Sequence, residues 1–97
     1  MLGDSRAEDM LTIYKHFQEG QEKQGDMVVK LYHSGDEIRG FVRKVTGRGK
    51  DDSVFPGEEM EPTAALQIAR SHLHGASEIL IELSEGVEWD ARWGTLH

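Results

Sequence analysis

The sequence predicts an α+β domain of order αββαββ, with two helices packed on one face of a four-stranded, mainly antiparallel sheet. Three observations lead there. Apolar residues recur at three- and four-residue intervals in two segments, they alternate with polar residues in two others, and glycine or proline separates these segments. At 97 residues the chain has room for one small domain, 1–97, rather than two. Leu, Ile, Val and Phe number 22, a little above the level of about 20 % below which a charged chain stays disordered. A thin core is expected.

The first helix is expected over about 5–19. Ser5-Arg6-Ala7-Glu8 has the spacing of a capping box, and Ala7, Met10, Leu11, Tyr14 and Phe17 form one stripe that ends at Gly20. From Asp26 the period becomes two. Met27, Val29 and Leu31 alternate with Val28, Lys30 and Tyr32, Ser34-Gly35-Asp36 marks a turn, and Ile38, Gly40 and Val42 alternate with Arg39, Phe41 and Arg43. Any even-length turn puts Met27, Val29, Leu31, Ile38, Gly40 and Val42 on one face. The other face then carries Val28, Lys30, Tyr32, Arg39, Phe41 and Arg43, cations interleaved with rings.

Residues 46–61 have no period and read as a long mobile loop. Pro62 suits a first helical turn, and Ala64, Ala65, Leu66, Ile68, Ala69 and Leu73 continue a second helix to a stop at Gly75. Its alanines predict close packing on the sheet, and Glu58, Glu59 and Glu61 stand where the helix dipole favours negative charge. The last hairpin is expected from Ile79, Ile81 and Leu83, then Val87, Trp89, Ala91 and Trp93, joined by Ser84-Glu85-Gly86 with the glycine left-handed. Its outer face would carry Glu78, Glu82, Glu88 and Asp90, and 94–97 is expected to be a loose tail.

Eighteen acidic against eleven basic residues give a charge of −7, which favours solubility and opposes strong non-specific binding to nucleic acid. The absence of cysteine removes disulfides, thiolate metal sites and thiol nucleophiles. Met1-Leu2-Gly3-Asp4-Ser5 lacks the basic start and apolar run of a signal peptide, and no apolar stretch approaches the ~18 residues of a membrane span. A cytoplasmic chain without membrane contact is expected.

Few motifs carry chemistry. Gly47-Arg48-Gly49-Lys50 lacks the spacing and the Ser or Thr of a phosphate-binding loop. His72 and His74 diverge on a helix, His16 and His33 have no spaced partner, and no nucleophile motif is present, so neither a metal, a cofactor nor an enzyme is expected. Trp89 and Trp93 read as core. Two charged surfaces remain. The basic one comprises Lys30, Tyr32, Arg39, Phe41, Arg43, Arg48 and Lys50, and five of the eleven cations fall within 39–50 without an acid among them. The acidic one comprises Glu78, Glu82, Glu88 and Asp90, without the shaped loop that usually gathers the about six to eight oxygens of a Ca²⁺ site.

Opposite charge on the two hairpins predicts a non-enzymatic protein-interaction domain, an adaptor, inhibitor or regulatory subunit, that self-associates as a homodimer. An edge strand is a second route to such pairing. The alternative is weak binding of RNA or single-stranded nucleic acid, with Tyr32 and Phe41 stacking bases while the cations hold phosphates.

Overall fold

A computed structural model describes residues 12–47 and 53–97, and of residues 53–57 the backbone alone. Five strands, β1 (Tyr14–His16), β2 (Met27–Ser34), β3 (Glu37–Lys44), β4 (Ser53–Met60) and β5 (Ile79–Leu83), form one sheet in the order β1-β5-β2-β3-β4. β2, β3 and β4 pair antiparallel in succession, whereas β5 runs parallel to both β2 and β1. One helix, α1 (Pro62–Ser71), connects β4 to β5, and a single 3₁₀ turn spans Ala91–Trp93. The sheet is therefore five-stranded and mixed, and the described residues hold one α-helix where two helices on a four-stranded, mainly antiparallel sheet were expected.

The β2–β3 hairpin follows from its alternating pattern. Gly35 and Asp36 form a two-residue turn, with Ser34 opposite Glu37 and Gly35 at φ 64°. Val29 then pairs with Val42 and Leu31 with Gly40 on the face toward α1. The helix begins with Pro62 at its first turn after the Glu61 cap, buries Ala65, Leu66 and Ala69, and ends at Ser71, short of the expected stop at Gly75. His72 closes it, with Nδ1 bonded to the Ile68 carbonyl at 3.0 Å. A Cβ built on Gly40 would lie 2.8 Å from that of Ala65, so the helix sits on the sheet through a glycine–alanine contact.

Four expectations fail for physical reasons. The helix expected over 5–19 has its first part outside the described residues, and its second part is β1. Tyr14 packs in the core beneath α1 while Phe17 packs on a small cluster with Val28, Val45 and Leu80, so the two rings do not share one helical stripe. The long loop contains β4, which pairs with β3 through Ser53, Val54 and Phe55 and, after a register shift, through Met60. Pro56, Gly57 and the following glutamates hide its alternation, and a fixed partner strand overrides the weak local signal.

The last hairpin does not form because β5 has no free edge. β2 occupies one side and β1 the other, so residues 87–93 have no hydrogen-bonding edge to pair with. Gly86 does adopt φ 86°, but the chain leaves the sheet and lays Val87, Trp89 and Trp93 against the core. Asp90 caps the 3₁₀ turn by accepting the Arg92 N–H at 2.8 Å. The expected loose tail is also anchored: Leu96 bridges Tyr14, and the His97 N–H donates to the Tyr14 carbonyl at 2.8 Å.

Candidate functional site

Side chains on one face of a strand pair are neighbours across the strands. Lys30 stands opposite Phe41, and Tyr32 opposite Arg39, on the face away from α1. Lys30, Tyr32, Phe41, Arg43 and Ser84 line an open groove of about 390 Å³. Four of the residues expected on the basic face are thus brought together. Arg39 lies on the same face, while Arg48 and Lys50 fall outside the described residues.

The two rings are half-buried, and their apolar carbon forms the groove between the cations. Arg43 lies over the Phe17 ring, 5.3 Å from its centroid, a distance at which the guanidinium is attracted to the ring face. Phe17 is itself fixed by its N–H, which donates to the Ile81 carbonyl at 2.8 Å. One end of the groove is therefore held by a ring that sequence reasoning assigned to a helix. Ser84 was also missed, and nothing in the sequence ties it to β2 until the parallel β5–β2 pairing is known.

Carboxylates temper this surface. The Arg39 Nε lies 3.3 Å from Glu59 and its Nη1 lies 3.6 Å from Glu37. Glu82 is the register partner of Lys30 across the parallel β2–β5 pair, which places the two side chains on one face. Burial, followed by the charge of Glu59, pushes the Tyr32 hydroxyl above the usual tyrosine range, so the ring is a neutral donor at any physiological pH. Lys30, Arg39 and Arg43 are matched in number by Glu37, Glu59 and Glu82, a neutral patch on a chain of net charge −7.

The residues expected to form one acidic face do not act together. Glu78 pairs with Lys15 and, at 3.2 Å, with Lys23, and these ammonium groups hold its carboxyl below the usual range. Glu82 belongs to the groove's surroundings, Glu88 is exposed, and Asp90 chelates Arg92 beside the 3₁₀ turn. The Arg92 side chain, then its backbone N–H, holds Asp90 below the ordinary range. The reason is the missing hairpin: Glu88 and Asp90 never come to stand across from Glu78 and Glu82.

A second, polar hollow of about 600 Å³ includes Lys15, His16, Gln18, Glu78 and His97 on its walls. Its lysine and glutamate neutralise one another. Among the described residues no group of three His, Asp or Glu side chains is arranged to hold a metal ion, and none of the helices there is long and apolar enough to cross a membrane. Comparison of the chain with protein-family models, with curated proteins and with solved structures gives no match.

Proposed function

We propose that this chain is a small non-enzymatic protein-interaction domain, an adaptor, inhibitor or regulatory subunit, that docks its partner on the face of β2 and β3 away from α1. The groove is the observation that carries the reading. Two half-buried rings and two cations from neighbouring strands face outward there, on the side of the sheet that α1 leaves open. Aromatic residues and arginine are the types enriched where interfaces gain most of their energy, and the rings bury much area at little cost in side-chain freedom.

Single-stranded nucleic acid is the competing occupant, since rings beside cations also stack bases and hold phosphates. The carboxylates Glu59 and Glu82 beside those cations and the charge of −7 weigh against it, because both repel a polyanion. A photo-reactive side chain placed at position 41 in living cells separates the two, with the exposed Gln67 of α1 as the control position. Protein adducts from position 41, absent from position 67 and reduced by Arg43→Glu, are expected. No protein adduct at position 41, or adducts to nucleic acid alone, would overturn the proposal.

A further inference from the structure

Resting on the interaction reading above, we infer that the partner seated on the β2–β3 groove is a second copy of this chain, in a two-fold face-to-face dimer. Charge selects this occupant. Two chains of −7 repel each other at long range, and the repulsion is least where a surface is locally neutral. The face around the groove is such a place, because Lys30, Arg39 and Arg43 are balanced there by Glu37, Glu59 and Glu82. An acidic peptide or a nucleic acid meets Glu59 and Glu82 beside those cations, whereas a second copy sets a locally neutral face against this one.

The strand register makes the face self-complementary. Lys30 is opposite Phe41 and Tyr32 is opposite Arg39, while Arg43 is opposite Val28, so two of the three cations have a ring at the same height on the other strand. A two-fold axis lying in the interface, parallel to the strands and between β2 and β3, exchanges these positions. Lys30 of one copy then comes over Phe41 of the other, and Arg39 over Tyr32. Both contacts occur twice, as an isologous interface requires, and both set a cation against a ring face.

Both edges of the described sheet resist pairing with another chain. Beside β1 the backbone is taken by Leu96 and His97. At the other edge of the described sheet β4 carries Pro56, which has no N–H to donate, and a break in register, with Glu58 and Glu59 exposed. Proline, irregularity and charge are the devices by which edge strands resist pairing with another chain.

Sedimentation velocity of the full chain across a range of concentrations tests the inference. A shift from monomer to dimer is expected, weakened about tenfold or more by Phe41→Ala. The decisive variant is Lys30→Glu with Glu82→Lys, which keeps net charge and the cross-strand pair inside each copy but sets a carboxylate over the opposing Phe41. It is expected to stay folded by circular dichroism and to lose the dimer.

A chain that stays monomeric at every concentration overturns the inference. So does a dimer indifferent to both Phe41→Ala and the charge exchange, which would have to use another surface. If position 41 still cross-links to a different protein in cells, the second-copy inference fails while the interaction reading stands. A single-stranded oligonucleotide that co-sediments with the chain and is released by salt overturns both.

Discussion

The carboxylate of Asp26 accepts the backbone N–H of Glu78 at 2.9 Å, joining the start of β2 to the residue that leads into β5. Asp26 is fully buried. Its other oxygen accepts the Lys23 backbone N–H at 2.8 Å, with the Lys23 ammonium 3.5 Å away, and its own carbonyl accepts the Val45 N–H at 2.9 Å. One residue, through side chain and backbone together, thereby ties three segments where the parallel pair begins. Asp26→Ala leaves two backbone donors without their acceptor, at roughly 1–3 kcal/mol for each such group. A loss of about 2–4 kcal/mol is expected, read as a lower denaturant midpoint at unchanged slope. Asp26→Asn, which keeps one acceptor oxygen, should lose less.

Gly40 and Ala65 form the contact on which the helix rests. A Cβ at position 40 would lie 2.8 Å from the Ala65 Cβ and 3.1 Å from Leu31 Cδ2, so neither neighbour can yield without moving the helix or the core. Gly40→Ala is expected to destabilise by about 1–3 kcal/mol, the usual cost of overpacking. In an Ala65→Gly background the same substitution should cost distinctly less, because the clashing methyl is gone. A double-mutant cycle in denaturant checks the coupling, and additive effects would refute the contact.

How far such contacts are legible in the sequence depends on whether their partners are local. The β2–β3 hairpin is readable because alternation and a two-residue turn act within one stretch of chain, and the groove residues Lys30, Tyr32, Phe41 and Arg43 come with it. Pro62 and the alanines similarly reveal α1. Parallel pairing has no local turn to announce it. Ile79-Leu80-Ile81 and Met27-Val28-Val29 are continuous apolar runs buried on both faces, the pattern of strands with neighbours on either side and cover above and below. Reading them as half-exposed turned Leu80 and Val28 outward, and gave β5 a hairpin partner where its edges belong to β1 and β2. The acidic face vanished with that hairpin. Ser84 reaches the groove, and Phe17 comes beneath Arg43, only once the parallel pairings are in place.

Tyr14 and Arg70 join β1 to the helix across 56 residues of chain, with Nη1 donating to the tyrosine hydroxyl at 2.7 Å. Tyr14 is 1 % exposed, and its ring centroid is 5.4 Å from that of Trp89. Tyr14→Phe removes the acceptor and keeps the ring. A loss of about 1–2 kcal/mol is expected, since the donor is charged, with folded-state tryptophan emission unchanged. Tyr14→Ala also empties a core position and should cost about 3–5 kcal/mol, as large-to-small replacements of aromatic core residues do. A Tyr14→Phe variant as stable as the wild type would remove the hydrogen bond from the account.

Glu78, placed between Lys15 and Lys23, gives stability a dependence on pH at both ends of the range. Hydrogen bonds from Lys15 and then Lys23 hold its carboxyl below the value it has in the unfolded chain. The unfolded state therefore takes up the proton first as pH falls. This contribution is complete above the ordinary glutamate range and is lost as pH drops through the lower, folded value. Lys23 behaves in the opposite sense. Its hydrogen bond to Glu78, with help from the charge of Asp26, raises it above the ordinary lysine value, so its contribution is present below that value and is lost as pH climbs through the folded one. Glu78→Gln removes the shared carboxylate and should flatten both limbs, whereas Lys15→Met should flatten the acid limb and leave the Lys23 contribution in place. Asp90, lowered by Arg92, titrates on the same acid limb, and the pair is carried through all variants unchanged. Denaturant unfolding at a series of pH values reads the two limbs directly, and a Glu78→Gln variant that keeps the wild-type curvature at both ends would show that the Lys15–Glu78–Lys23 cluster does not govern them.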